Sequence, residues 1–179
     1  VVASLFRQIG EDPAVLLHNE WNAMLMVKDL FDKELAAAQA TFSNVDWHAS
    51  AAADLVFKCP DCTSKLIEQL DAENETQDFI ELKCRACAEE PETSDVIENA
   101  VEDHYGMDAY IQAKEGGEPG PIHECPSCQR ETLLDFEDKC LNCGEEMDFN
   151  NECMRCSNGI SLADYLDGLD SGLCSYCTH

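Results

Sequence analysis

The sequence predicts a small α+β protein, helical in its N-terminal part and organised beyond it by three four-cysteine modules. Three observations lead there. All twelve cysteines fall into Cys-X-X-Cys pairs with none left over. Residues 14–39 contain neither Gly nor Pro and are rich in Leu, Met, Ala, Glu and Lys, which favour helix. Aromatic residues make up only 7% of the 179 positions, too little for one large core, so small cores stapled by metal or disulfides are the expected alternative.

Taken in order, residues 1 to 9 read as a short helix stopped by Gly10. Asp12 then suits an N-cap, and Pro13 the first helical position, where its missing N–H costs nothing. Residues 14–39 follow as one long helix with Leu17, Trp21, Met24, Leu25, Lys28, Phe31 and Leu35 on one face, widened by Leu16, Val27 and Leu30. Such a stripe usually packs as core. At 1.5 Å per residue the helix would be about 40 Å long, more than thin cysteine modules can cover, so part of the face is also a candidate for meeting another subunit or a further stretch of chain.

A short helix is expected at Ala51, Ala52 and Ala53, then a strand over residues 54–58 delivering Cys59. Residues 65–70 and 78–83 read as strands, or a strand and a short helix, joined by a polar loop. Asp95 with Glu98 forms a capping signal, and Val96, Ile97, Ala100, Val101 and Tyr105 mark one side of a helix ending near Gly106. A second helical turn holds Tyr110 and Ile111. Three Gly and two Pro in residues 114–121 make the clearest linker. Beyond it come a short strand at 132–136 and a small helix starting at Ser161, with Asp164 three residues later. The expected division is a helical segment at 1–53, a first cysteine module with its following helix at 54–113, the linker at 114–121, and two further modules at 122–179.

The six pairs are Cys59/Cys62, Cys84/Cys87, Cys125/Cys128, Cys140/Cys143, Cys153/Cys156 and Cys174/Cys177. A two-residue spacer lets a tight turn aim two sulfurs at one ion about 2.3 Å away. Two such pairs complete a tetrahedron and close it to water, the arrangement of a structural rather than a catalytic zinc. Joining neighbours in order leaves 21, 11 and 17 residues between the halves of the three sites. Short local loops favour that pairing over a cross-braced one, in which Cys125/Cys128 would join Cys153/Cys156 and Cys140/Cys143 would join Cys174/Cys177. Three zinc ions are therefore expected. Iron held by four thiolates and thiol–disulfide exchange are weaker readings, the second because no βαβ context surrounds any pair.

Cys59-Pro60-Asp61-Cys62, Cys125-Pro126-Ser127-Cys128 and Cys140-Leu141-Asn142-Cys143-Gly144 resemble the rubredoxin-like knuckles of the zinc-ribbon superfamily over residues 54–90 and 121–179. A helical segment followed by several such ribbons is also loosely similar to uncharacterised bacterial proteins with C-terminal ribbon arrays. The resemblance implies zinc binding and is silent on biological role. Thr63, Ala88, Gln129, Ser157 and Thr178 stand where Gly follows a knuckle, leaving open the backbone there. His123 and His179 lie two positions from a cysteine, but four thiols already serve each site, so they read as surface imidazoles. His18, His48 and His104 have no spaced partner.

The net charge of −26 is extreme. A zinc held by four thiolates carries a formal charge of about −2, so three sites deepen it. Six of the eleven basic residues, Lys58, Lys83, Arg85, Arg130, Lys139 and Arg155, sit within two positions of a cysteine, where they read as offsets to the metal clusters and donors to sulfur. Acids outnumber them too heavily for a phosphate-binding stripe. No phosphate loop, nucleophile elbow or His-Glu-X-X-His helix is present. The opening residues lack the core and cleavage site of a signal peptide, and no run approaches the roughly 20 apolar residues of a membrane span, so a reducing cytoplasm is the expected compartment. A chain opening on Val1 rather than Met fits a piece of a longer chain as well as removal of the initiator.

The function expected is a non-enzymatic, zinc-stabilised protein-interaction or regulatory module, with a protein partner or self-association. Its alternatives are nucleic-acid association through a basic partner, since autonomous binding is disfavoured, and the regulatory end of a larger enzyme.

Overall fold

The computed structural model describes residues 6, 8–115, 121–134, 136–146, 152–158, 160, 172–174, 176 and 177, with residues 108–115 described as backbone only. It shows an α+β protein with helices at the N-terminus and small antiparallel sheets beyond them, and three four-cysteine clusters along the chain. The chain divides into two compact units: Val1–Trp47 with Val56–Ala100, and His48–Leu55 with Val101–His179.

In the first unit, Phe6 and Gln8 lie in a helical turn that Gly10 ends as anticipated. Its φ of +79° lets the Glu11 N–H reach the Phe6 carbonyl at 2.9 Å, a closure glycine adopts without strain. Helix α1 (Pro13–Leu17) begins with Pro at its first position and with the Asp12 carboxylate accepting from the Ala14 N–H at 2.9 Å.

The single long helix does not form. The chain breaks at His18 (φ +45°) and again at Val27, giving α1, α2 (Asn19–Leu25) and α3 (Lys28–Gln39). Intrinsic propensity allowed a continuous helix, and tertiary contacts override it. Asp12 pairs with Lys83 at 2.5 Å, the Trp21 indole donates to the Arg85 carbonyl at 2.7 Å, and Glu34 pairs with Arg85 at 3.2 Å. In a straight helix Asp12 and Glu34 would stand about 33 Å apart, out of reach of two residues separated by one position. The folded-back path brings both to the same few residues of the cysteine module.

Trp21 is fully buried on Ala14, with Leu17, Met24, Leu25, Leu30 and Ala88 around it. Leu16 and Val27, which widened the expected apolar face, remain exposed. Strands β1 (Ile67–Gln69) and β2 (Leu82–Cys84) form an antiparallel hairpin in the register Ile67↔Cys84, Glu68↔Lys83, Gln69↔Leu82. Inside lie Ile67, Ile80, Leu82 and Val96 with Cys59 and Cys84, flanked by the mutually tilted rings of Phe42, Trp47 and Phe57. The strand expected at 54–58 is absent: Phe57 contributes a ring to that trio and its neighbours pair with no strand. Gln69 is buried but satisfied, its amide donating to the Thr41 and Asn74 carbonyls and its N–H to Thr41 Oγ1.

Helix α4 (Thr93–Glu115) starts two residues before the expected cap, so Asp95 lies in its first turn, near the positive end of the helix dipole. It runs straight through Gly106 instead of ending there. One interior glycine costs a helix only about 1 kcal/mol relative to Ala, less than a full stop requires. The expected linker accordingly loses its first two residues to the helix, and residues 116–120 lie outside the described residues.

In the second unit, β3 (Ile122–Glu124), β4 (Glu131–Leu134) and β5 (Lys139–Cys140) make a three-stranded antiparallel sheet in the order β3-β4-β5, with a register shift at His123/Glu124. Thr132, Leu133, Leu134 and Leu141 are all buried, on both faces of this short sheet. A 3₁₀ turn at Ser50–Asp54, where a short helix was expected, is fastened by Glu137, whose carboxylate accepts from Ser50 Oγ at 2.6 Å and from the Ala51 N–H at 2.9 Å. The small helix expected from Ser161 falls outside the described residues. No helix among the described residues is long and apolar enough to cross a membrane.

Candidate metal centres

Six tight turns hold the cysteines, and five share one backbone pattern. The residue after the second cysteine takes a left-handed conformation, and its N–H returns to the carbonyl of the first. This occurs at Thr63 (2.9 Å), Ala88 (2.8 Å), Gln129 (2.8 Å), Gly144 (3.0 Å) and Ser157 (2.8 Å). The N–H of each first cysteine is likewise taken by the carbonyl five residues on, at Ser64, Glu89, Arg130, Glu145 and Asn158. Only Gly144 adopts positive φ freely. At the other four, the turn imposes a conformation costing roughly 1–2 kcal/mol for an L-residue, and the geometry is kept nonetheless. In the sixth turn the Cys177 N–H bonds the Cys174 carbonyl at 2.8 Å, and Thr178 lies outside the described residues.

The turns bring the cysteines together in sequential pairs, not in the cross-braced arrangement. The clusters are Cys59, Cys62, Cys84 and Cys87; Cys125, Cys128, Cys140 and Cys143; and Cys153, Cys156, Cys174 and Cys177, with all sulfurs of a cluster within 4.8 Å of one another. Cross-hairpin separations are 3.7 Å for Cys59–Cys87, 3.6 Å for Cys62–Cys84, 3.7 Å for both Cys125–Cys143 and Cys128–Cys140, and 3.6 Å for Cys156–Cys174. A disulfide requires about 2.0 Å, whereas four sulfurs 2.3 Å from a tetrahedral ion lie about 3.8 Å apart. None of the twelve cysteines is in a disulfide, and their spacing and donor type fit a tetrahedral thiophilic cation. In each cluster the first cysteine of each pair is buried and the second more exposed, so one side of every site faces the module core.

Four thiols this close do not ionise together unaided. Burial pushes Cys84 far above the usual thiol range, and the neighbouring Cys59 charge adds to it. Burial likewise raises Cys143. Cys177 is pushed up to about 12, first by its hydrogen bond with Cys156 and then by burial. Cys153 moves the other way, to about 6, because the Cys174 N–H donates to its sulfur. Burial works against ionisation of Cys128, but the Asn142 side chain and the Arg130 N–H outweigh it. Burial raises Cys140, opposed first by the Thr132 hydroxyl. A cation reconciles these opposed tendencies by letting all four groups of a cluster be thiolates.

Three of the six basic residues near the cysteines turn to carboxylates instead of sulfur. Lys83 pairs with Asp12, Arg85 with Glu34 and Glu68, and Lys139 with Glu146, so these three neutralise carboxylates. Arg155 bridges two turns of one cluster, donating to the Cys177 carbonyl at 3.2 Å. No histidine joins a cluster among the described residues. His48 proves relevant, however: a Cβ on Gly144 would lie 2.8 Å from its Nδ1, so the imidazole sits against the turn that carries Cys143. Nothing local to His48 signals this, since the contact comes from the 3₁₀ segment folding onto the second module.

Two substitutions separate conformational strain from contact. Gln129→Gly, at an exposed left-handed position, should raise the melting temperature of the metal-loaded protein slightly, by a gain of up to about 1 kcal/mol, as left-handed strain is relieved and unfolded-chain entropy offsets part of it. Gly144→Ala should lower it by about 2 kcal/mol or more, because strain adds to the His48 clash. Equal effects of one sign would exclude this account of the turns. No family model, curated protein or solved structure matches the chain.

Proposed function

We propose that the chain is a zinc-binding protein-interaction module of the zinc-ribbon type, in which each four-cysteine cluster holds one zinc ion and the stiffened, acidic body binds basic partner proteins. The observation that carries the metal assignment is the threefold recurrence of four sulfurs at the edge length of a zinc–thiolate tetrahedron. Zinc is preferred to iron because closed tetrahedral sites in tandem, built from local hairpins, are its ordinary structural use. The ion supplies folding energy here and no open coordination position for chemistry.

Two features support the interaction role. The charge of −26 steers basic surfaces toward the molecule and repels nucleic acid. Ile9, Val15, Leu16, Met26 and Val27, all around the N-terminal helices, keep between 48% and 86% of their surface exposed. The nucleic-acid alternative draws less support, because Lys83, Arg85 and Lys139 already face carboxylates. A reducing compartment such as the cytoplasm suits twelve free thiols.

Elemental analysis of purified protein should return three zinc ions per chain. Copurification from a reducing extract at low salt, followed by light scattering, should then give a stoichiometric complex with a basic protein that dissociates at high salt. Three zinc ions on a chain that elutes alone and monomeric would leave the metal assignment standing and remove the interaction role.

A further inference from the structure

The fourth residue after the second cysteine occupies the same place in each cluster's sequence: Leu66, Thr132 and Ile160. All three are buried. Leu66 and Thr132 also hold the same main-chain position, since their carbonyls accept from Arg85 and Leu141, the residues following the third cysteine, at 2.8 Å each. The position is therefore an apolar one in two modules out of three. A fully buried hydroxyl there is unfavourable unless it is hydrogen bonded, and Thr132 Oγ1 lies 3.2 Å from the Cys140 sulfur. A metal-bound thiolate has no proton to give, so the hydroxyl is the donor and the sulfur the acceptor.

We infer that Thr132 sets the second site apart from the first, its buried hydroxyl damping the Cys140 thiolate so that this site loses metal to thiol-reactive agents more slowly than the site where Leu66 stands. The inference rests on the reading that the clusters hold metal. A hydrogen bond to a charged sulfur draws electron density from it and weakens its attack on an electrophile. Leu66 and Ile160 have no hydroxyl with which to do the same. Thr132 is thus a positioning residue, acting through Cys140, and it distinguishes the second site from the first.

The test treats the full zinc-loaded chain with N-ethylmaleimide and follows zinc release together with peptide-resolved alkylation. In the unaltered chain, Cys140 and its cluster should react later than the first cluster. Thr132→Val, close in shape, should speed alkylation there roughly tenfold, as expected for one lost hydrogen bond to a charged group. Thr132→Ser should restore the slow rate. In the cobalt-substituted protein, Thr132→Val should also move a sulfur-to-metal charge-transfer band to lower energy, and Thr132→Ser should return it, a change that loosened packing would not produce. Failure to find metal at all removes the underlying reading. Three bound ions with Cys140 reacting no later than the first cluster, or with Thr132→Val matching the unaltered rate, overturns this inference and leaves that reading intact.

Discussion

Stripping the metal with a strong chelator at neutral pH should unfold both cysteine-bearing units, not merely loosen them. The strands are two to four residues long, and the first sheet has only two of them, short of what stands alone in water. The interiors are correspondingly small: beside its cysteines, the hairpin core of the first unit holds four buried apolar side chains. A structural zinc contributes about 10–16 kcal/mol of apparent binding free energy, comparable with the about 5–15 kcal/mol that stabilises an entire domain. Removing three such ions exceeds any reserve the chain has. Near-UV circular dichroism from Trp21 and Trp47 should collapse and return on adding zinc back. Acid should act in the same direction, since protons compete for the thiolates and affinity falls as pH falls. A chelated, metal-free chain that keeps its near-UV spectrum and resists proteolysis would sink the proposed role of zinc as the folding element.

The fold class and the cysteine pairing were legible because both rest on local, periodic signals. Asp12-Pro13 marks a helix start whose reasons lie within three residues, and Cys-X-X-Cys spacing forces two sulfurs to one side of a turn. What was not legible depends on residues far apart in the chain. Nothing in residues 14–39 announces the breaks at His18 and Val27, because their cause lies at Lys83 and Arg85. Thr63, Ala88, Gln129 and Ser157 take a glycine's conformation because the turn closes around the sulfurs, which outweighs the residue's own preference. Arg85 was expected to attend to sulfur, being next to Cys84. The opposite pleat of β1 and the face of α3 supply two glutamates instead, and a guanidinium fork matches carboxylates better than it matches a soft sulfur. Proximity in sequence was a poor guide where a side chain's length let it choose among neighbours.

That choice makes Arg85 a residue, outside the cysteines, whose loss should destabilise the first unit strongly. Its guanidinium donates to Glu34 from Nη1 at 3.2 Å and to Glu68 from Nε at 2.6 Å, and Nη2 also meets Glu68. The Arg85 and Glu34 side chains are each 8% exposed, and Glu68 is 19% exposed, so water screens none of them well. Arg85→Ala takes the shared guanidinium away from two poorly exposed carboxylates, which costs about 3–5 kcal/mol. The effect should appear as a lower denaturant midpoint in zinc-loaded protein, read from fluorescence of Trp21, whose indole bonds the same residue's carbonyl. Zinc content should stay the same, which distinguishes loss of the ion cluster from damage to the adjacent Cys84/Cys87 turn. Replacing all three charges together, as Arg85→Met with Glu34→Leu and Glu68→Met, should recover most of the loss, because the cost lies in unpaired buried charge and not in the missing attraction itself. If Arg85→Ala shifts the midpoint no more than an exposed substitution such as Lys28→Ala does, whose partner Asp32 is over half exposed, then the cluster is not what holds the N-terminal helices to the first module.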